Sequence, residues 1–129
     1  MSNELTRETA DDVVDRLREA VGDALQGVGV CWAADDVEVV YVRDDVRERL
    51  GETVLQDVGV DLLADRHLEV GNLRRHGLEG PTVSARLYDG ALLVVSWVEG
   101  WPVAVATDPD PAHFGAVAAV LGDEITRAA

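Results

Sequence analysis

The chain has 129 residues, with 25 acidic side chains against 11 basic ones and a formal net charge of −14 at pH 7. This charge argues against nucleic acid and anionic lipid as partners, because binding either requires Lys or Arg to displace counterions. The hydrophobic fraction of 47% is too high for a disordered chain. Length and composition together predict one domain over residues 1–129, with residues 1–8 expected to fray.

Composition also predicts where the protein works. A single cysteine cannot form an internal disulfide, and the N-terminal residues lack an apolar signal region, so we expect a soluble, cytoplasmic protein. All 11 basic residues are arginine. An acid excess without lysine predicts a halophile, because molar salt screens like-charge repulsion. A high genomic GC content also favours arginine over lysine and is the alternative explanation.

The N-terminal part of the chain predicts a helix followed by a hairpin. Apolar residues at helical spacing predict a helix over 9–25, capped at Thr9 and ended by Gly27. Two stretches rich in β-branched and aromatic residues, 28–33 and 37–43, then predict two strands joined by a tight turn.

A second helix is predicted directly after this hairpin. Asp44 or Asp45 would cap it, and its apolar positions run from Val46 to about Val58, with Gly51 as a weak point. Residues 59–80 contain four glycines, so we expect a short helix or turns there.

The C-terminal half predicts three strands and a helix. Residues 82–88 alternate between apolar and polar, and Asp89-Gly90 is typical of a two-residue hairpin turn. Residues 91–98 are apolar at nearly every position, which predicts a central strand covered on both faces. Residues 101–107 form a third strand, and an Asp-Pro pair precedes a final helix over 111–127.

The predicted element order is α-β-β-α-β-β-β-α. Five strands joined mostly by hairpins predict an α+β domain, with a five-stranded antiparallel sheet and helices on both faces. This element order resembles the roadblock, longin and profilin-like folds. Roadblock- and longin-like domains commonly pair through a sheet edge or a helix, so the resemblance also implies a dimer.

A second resemblance lies in the sequence itself. The segment Tyr41–Val46, which reads Tyr-Val-Arg-Asp-Asp-Val, resembles a recurrent segment of small uncharacterised haloarchaeal proteins. The strand and turn at Pro81–Gly90, followed by an apolar strand, is similar to theirs as well. The resemblance implies a protein of a halophilic archaeal cytosol and brings no catalytic residue with it.

One basic stretch stands out in the acidic chain, and it is the candidate ligand site. Arginine offers a planar fork of donors that matches a phosphate or carboxylate, so the stretch would bind an anionic metabolite. Two alternatives stay open: it binds an acidic surface of another copy, or it is a solvated loop that neutralises nearby acids. The stretch comprises Arg66, His67, Arg74, Arg75 and His76.

Three further residues are candidates for a protein interface: Trp101, Tyr41 and Arg43. Trp101 would anchor a dimer if it is exposed near a sheet edge, because interfaces are enriched in aromatic residues. Arg43 with Asp44 and Asp45 would hold a cation or dock a partner. In the alternative, structural interpretation, one aspartate caps the helix while Arg43 pairs with a neighbouring carboxylate.

The sequence contains no recognisable catalytic or cofactor motif. The three histidines lack paired ligand spacing, Cys31 has no partner for a metal, and neither Ser84 nor Ser96 lies in a nucleophile elbow. We therefore expect no enzyme, no cofactor and no metal site, with solvent cations only loosely associated. The leading hypothesis is a non-enzymatic protein-interaction or regulatory module that self-associates. The alternative is a small-molecule sensor that binds an anionic metabolite near residues 66–76.

Overall fold

The computed structural model describes residues 3–33, 36–51, 57, 83–98 and 101–128. These parts form an α+β structure with three α-helices and one five-stranded antiparallel sheet. In chain order the elements are α1 (Asn3–Val21), β1 (Leu25–Ala33), β2 (Asp36–Val42), α2 (Asp44–Leu50), β3 (Ser84–Leu87), β4 (Leu92–Val98), β5 (Trp101–Thr107) and α3 (Ala112–Ala128). The predicted fold class is confirmed.

The strands lie in the order β2-β1-β5-β4-β3, and every neighbouring pair is antiparallel. The hairpin connection at Asp89-Gly90 is confirmed, since the Tyr88 N–H donates to the Ala91 carbonyl at 2.8 Å across it, but the type I′ geometry that this pair predicts is wrong, because Gly90 does not adopt a positive φ. The prediction that β4 lies inside the sheet is confirmed, since β3 and β5 pair with it on either side, although β5 occupies the middle position. The reason is that β1 crosses over to pair with β5, with Val28 opposite Val105.

Helices α1 and α3 pack against each other and against one face of the sheet. Alternation along the strands directs every second side chain to that face, where it meets the apolar stripes of the two helices. Burying such side chains contributes about 1.5–3 kcal/mol each, so this cluster supplies most of the stability of the described parts. Its fully buried members include Leu17, Leu25, Val94, Val105, Val117 and Leu121.

Burial continues on the opposite face of the sheet. Val37 and Val95 are buried outside the first cluster, and Val46 of α2 is buried too. Val28 and Val30 face the helices, so Gly29 between them faces away, and a Cβ there would lie 3.4 Å from Val37 Cγ1. The two faces of the sheet therefore both carry packed side chains.

The start and end of α1 differ from the prediction. The helix begins at Asn3, so Thr9 lies inside it and the predicted cap at Thr9 is wrong. It ends at Val21 because Gly22 adopts φ +59°, a conformation that side chains other than glycine rarely reach. Leu25, predicted as helical, belongs to β1 and pairs with Thr107.

The prediction that α2 continues through Gly51 towards Val58 is wrong. The helix ends at Leu50, because Gly51 adopts φ +79°, and the Gly51 N–H donates to the Arg47 carbonyl. Ahead of α3, the Asp110 carboxylate accepts the Ala112 N–H at 2.9 Å, which confirms the predicted cap. Among the described helices, none is both long enough and apolar enough to cross a membrane.

Candidate functional site

The basic stretch proposed as a ligand site lies outside the described residues. The described part of the structure therefore does not test the roles of Arg66, His67, Arg74, Arg75 and His76. The metabolite-sensor hypothesis, which depends on these five side chains, therefore stays a prediction.

The aromatic interface candidates occupy two different strands. Trp101 begins β5 and pairs with Val98, while its side chain lies outside the described part. Tyr41 lies on the edge strand β2 and is half-buried. The guanidinium carbon of Arg18 stands 5.4 Å from the centroid of the Tyr41 ring, within the range of a cation–π contact. Tyr41 thus serves first to hold α1 against β2.

Arg43, the third candidate, makes a two-pronged ion pair with Asp45. Its Nε donates to Asp45 Oδ1 at 2.6 Å, and its Nη2 donates to Asp45 Oδ2 at 3.0 Å. The fork of a guanidinium matches the two oxygens of a carboxylate, which makes this geometry stronger than a single contact. The prediction that Arg43 pairs with a neighbouring carboxylate is confirmed.

The capping half of that prediction is wrong. The residue at the N-cap of α2 is Arg43, and no side chain accepts a capping hydrogen bond there. Asp45 is turned back to Arg43, because a charged fork is a stronger partner than a backbone N–H. Asp44 and Asp45 lie in the first turn of α2, where their charge still favours the positive end of the helix dipole.

The remaining donors of Arg43 extend the contact across the end of the sheet. Nη1 donates to the Asp23 carbonyl at 2.8 Å and to Asp108 Oδ1 at 3.1 Å. The same Asp108 oxygen accepts Gln26 Nε2 at 3.1 Å. We refer to Arg43, Asp45, Asp108 and Gln26 as the Arg43 cluster.

Backbone pairing positions the Arg43 cluster. The sheet is antiparallel, so β1 begins, and β2 and β5 end, at the same end of the sheet. The Arg43 N–H donates to the Gln26 carbonyl, and the Asp108 N–H donates to the Ala24 carbonyl, both at 2.8 Å. Gln26, only 5% exposed, also donates from Nε2 to the Gly90 carbonyl at 2.9 Å. The cluster therefore links β2 to the turn between β3 and β4.

The electrostatics of the Arg43 cluster are those of a stabilising contact. Hydrogen bonding from Arg43 lowers the pKa of Asp45, and hydrogen bonds to Asp45 and Asp108 raise the pKa of Arg43. All three guanidinium nitrogens donate to groups of this chain, and the side chain is 26% exposed. This arrangement stabilises the end of the sheet through internal hydrogen bonds and ion pairs. It provides neither a nucleophile nor a general base.

A second feature lies at the opposite edge of the sheet, on β3. Three large hydrophobic side chains are exposed among the described residues, and two of them, Leu87 at 55% and Tyr88 at 49%, are adjacent here. Ala85 and Arg86 are exposed as well. We call Ala85, Arg86, Leu87 and Tyr88 the β3 edge. Sequence reasoning missed its exposure, although a position at the end of a four-residue strand beside the Asp89-Gly90 turn indicates it.

The β3 edge also presents backbone groups. Tyr88 and Ala91 form a hydrogen-bonded pair across the turn. Hydrogen-bonded and non-hydrogen-bonded pairs alternate along an antiparallel ladder, so Leu87 opposite Leu92 and Ala85 opposite Val94 are non-hydrogen-bonded pairs. The N–H and C=O groups of Ala85 and Leu87 therefore point away from β4, towards the open side of the sheet.

Charge distinguishes the β3 edge from the acidic surface of α1, although the exposed Asp89 follows the edge in the turn. Residues 81–88 contain no acid, in a chain that has 25 acids. By contrast, the exposed positions of α1 include Glu8, Asp11, Asp12, Asp15 and Glu19. Apolar side chains, backbone groups that pair with no other described strand, and absence of acids thus coincide in Ala85–Tyr88.

Metal and catalytic chemistry find no support in the part of the chain that is described. Its ranges hold no group of three or more His, Cys, Asp or Glu side chains arranged to bind a metal ion. His113, the one described histidine, is half-buried in the first turn of α3. The expected absence of a metal site elsewhere in the chain stays a prediction.

Residues 11–126 match the family model described as domain of unknown function DUF7522. The chain belongs to this family. The match spans α1 from Asp11 through most of α3, so it includes both the Arg43 cluster and the β3 edge. No curated protein matches the chain.

Proposed function

We propose that this DUF7522 protein is a non-catalytic protein-interaction module that self-associates through the β3 edge. The observation that carries the proposal is the coincidence, in one edge strand, of exposed Leu87 and Tyr88 with outward-facing backbone groups. Edge strands with unpaired N–H and C=O groups add strands from other chains, and exposed apolar side chains beside them increase the area that is buried.

The chemistry of the sequence supports a binding role over catalysis. The chain has no nucleophile elbow, phosphate-binding glycine loop or paired metal-ligand spacing. The most elaborate polar group described, the Arg43 cluster, is satisfied internally. The roadblock-like element order, in which sheet edges and helices commonly serve as contact surfaces, agrees with this role.

We also propose that the protein works in the cytoplasm of a halophilic archaeon. The net charge of −14, the lack of lysine and the resemblance of Tyr41–Val46 to haloarchaeal segments support this habitat. At molar salt the screening length is only about 3 Å, so two acidic copies can approach each other without long-range repulsion. Salt is thus expected to favour both folding and self-association.

Light scattering coupled to size exclusion, in about 2 M KCl where screening is nearly complete, tests the proposed role. We expect a dimer whose population grows with protein concentration. A strict monomer at every concentration, with no specific partner recovered by affinity capture in the same buffer, would contradict it.

The habitat has a separate test. Lowering KCl from about 2 M to about 0.1 M restores a screening length of about 10 Å and should lower the melting temperature substantially. An unchanged melting temperature would refute the halophile proposal and leave the interaction role untouched.

A further inference from the structure

We infer that the occupant of the β3 edge is the β3 edge of a second copy, paired antiparallel about a two-fold axis. The two five-stranded sheets would then join into one sheet of ten strands. This inference rests on the proposed self-association and specifies the surface that carries it. The experiment below separates a failure of the surface from a failure of self-association.

The backbone geometry suits a symmetric partner. Antiparallel pairing about a two-fold axis requires that the same residues of both copies offer N–H and C=O groups to each other. Ala85 and Leu87 offer both groups on the open side of β3. With the axis at Leu87, the Leu87 residues of the two copies can exchange both backbone bonds; with the axis at Arg86, Ala85 of each copy would pair with Leu87 of the other.

The side chains also complement their own copy. With the axis at Leu87, the two Leu87 side chains face each other, and Arg86 of one copy lies opposite Tyr88 of the other. Ala85 then lies opposite Asp89 of the turn. Cross-strand apolar pairs and a cation over an aromatic ring are both stabilising. With the axis at Arg86, two arginines would face each other, which is unfavourable. We therefore expect the register centred on Leu87.

Net charge favours this surface for the meeting of two identical chains. Each copy carries −14, so like-charge repulsion opposes any homodimer. The β3 edge itself carries one arginine and no acid, although Asp89 follows it in the turn, so it opposes a second copy less than an acidic surface such as the exposed side of α1. An interface built on one short strand is small, and interfaces below about 1,200 Å² are commonly weak and transient, so the dimer should depend on concentration.

The first measurement compares two matched substitutions by sedimentation velocity in about 2 M KCl, where repulsion is screened. Leu87→Asp places an acid at the axis and should raise the dimer Kd roughly tenfold or more. Leu50→Asp changes the other leucine that is exposed among the described residues, 36% exposed on α2, and should leave the Kd unchanged. Circular dichroism checks that both variants fold, as expected for exposed positions.

Disulfide trapping reads the contact directly. Hydrogen-bonded pairs in antiparallel strands have Cα atoms about 5.5 Å apart, within the range that a disulfide spans. Single cysteines at 85, 86 and 87 (Ala85→Cys, Arg86→Cys and Leu87→Cys) are oxidised, and peptide mapping identifies the bridge. The wild-type chain, whose only cysteine is Cys31, is the control.

The outcomes separate the two proposals. A symmetric bridge at any of the three positions supports β3–β3 pairing, and its position gives the register, for which we expect Leu87. A dimer that forms no bridge at any of them and is insensitive to Leu87→Asp overturns the pairing and leaves self-association standing. A protein that stays monomeric under all conditions overturns the inference that two β3 edges pair. Amide groups of β3 that are protected from hydrogen exchange only when an extended peptide of another protein is added overturn it too.

Discussion

The two edges of the sheet are built in opposite ways. On β2, every described side chain from Val37 to Val42 is buried or half-buried, and Arg18 of α1 stacks over Tyr41. On β3, Ala85, Arg86, Leu87 and Tyr88 are all exposed. An edge strand whose side chains are engaged with its own chain offers little to a partner, whereas an exposed one offers both backbone and apolar area. The comparison shows that Tyr41, although it lies in a distinctive sequence segment, is engaged with its own chain and not presented to a partner.

The Arg43 cluster connects the two edges. It fixes the end of β2 through Arg43 and reaches the β3–β4 turn through the bond from Gln26 to the Gly90 carbonyl. Breaking the cluster should therefore weaken the fold, while changing the β3 edge should weaken association only. The predictions below test this separation, beginning with the largest expected effect.

Gln26→Glu should give the largest loss of stability. The new carboxylate would be buried beside Asp108 and the Gly90 carbonyl, in place of an amide that donates to both. Loss of two hydrogen bonds and burial of a like charge should lower the free energy of unfolding by about 2–4 kcal/mol at neutral pH. Urea titration in high salt measures it.

Gln26→Met is the matched control, because it removes the hydrogen bonds without adding charge. We expect it to cost less than Gln26→Glu, and only the Glu variant should recover stability as the pH falls and its carboxyl is protonated. Equal losses in the two variants, independent of pH, would contradict the placement of Gln26 beside Asp108.

Arg43→Ala should destabilise less than Gln26→Glu. It leaves Asp45 and Asp108 without their cation and the Asp23 carbonyl without a donor, but these groups are partly exposed and can recruit water. A loss of about 1–2 kcal/mol is expected. Arg49→Ala, which removes an exposed arginine from α2, should cost less than about 0.5 kcal/mol.

The dimer Kd distinguishes a role of Arg43 inside the fold from the interface role that the sequence suggested. If the side chain acts inside the fold, Arg43→Ala should leave the dimer Kd unchanged under conditions where the variant remains folded. A large rise in Kd with unchanged stability would return Arg43 to the contact surface and would break the contrast between the two edges.

Much of the fold could be predicted from local patterns. The strands follow β-branched runs, a turn connects β3 to β4 at Asp89-Gly90, and Asp110 caps α3 as predicted. The pattern failed at the end of α1, because Ala24 and Leu25 continue the helical spacing while Gly22 terminates the helix. Helical periodicity cannot show whether an apolar residue belongs to the helix or to the strand that follows.

The candidate site was less accessible to sequence reasoning. The ion pair of Arg43 with Asp45 spans two positions and could be predicted, but Gln26 and Asp108 lie 82 positions apart and meet only through the crossover of β1 to β5. The edge position of β3 follows from strand order, and the exposure of Leu87 depends on what packs there, since β2 is an edge strand too. Neither contact is encoded in spacing along the chain.

Tyr88→Ala tests, at the β3 edge, whether a side chain affects association without affecting stability. Tyr88 is about half exposed, so its loss should change the free energy of unfolding by less than about 0.5 kcal/mol. The dimer Kd should rise severalfold, because the ring no longer lies opposite Arg86 of the second copy. Tyr88→Phe keeps the ring and should retain the wild-type Kd; if both variants weaken association equally, the ring contact is not the cause.

The smallest effect concerns pH and Asp45. Arg43 holds the pKa of Asp45 below its ordinary value, so the folded state binds this proton more weakly than the unfolded chain does. The stabilising contribution is therefore complete above the ordinary pKa of an aspartate and is lost as pH falls through the lowered pKa of the folded state. Melting curves from about pH 6 to about pH 3 should show wild type above Asp45→Asn at the upper end and a gap that narrows downward.

Asp44→Asn is the control for this last effect, since it removes the same charge from the same turn of α2 while the fork of Arg43 keeps its partner. Its gap from wild type should be smaller at every pH, because the helix dipole alone interacts weakly with an exposed charge. A larger gap for Asp44→Asn would mean that the helix end, rather than the Arg43 cluster, holds this end of β2. The Arg43 cluster would then not be what stabilises the end of β2, and this difference between β2 and β3 would be lost.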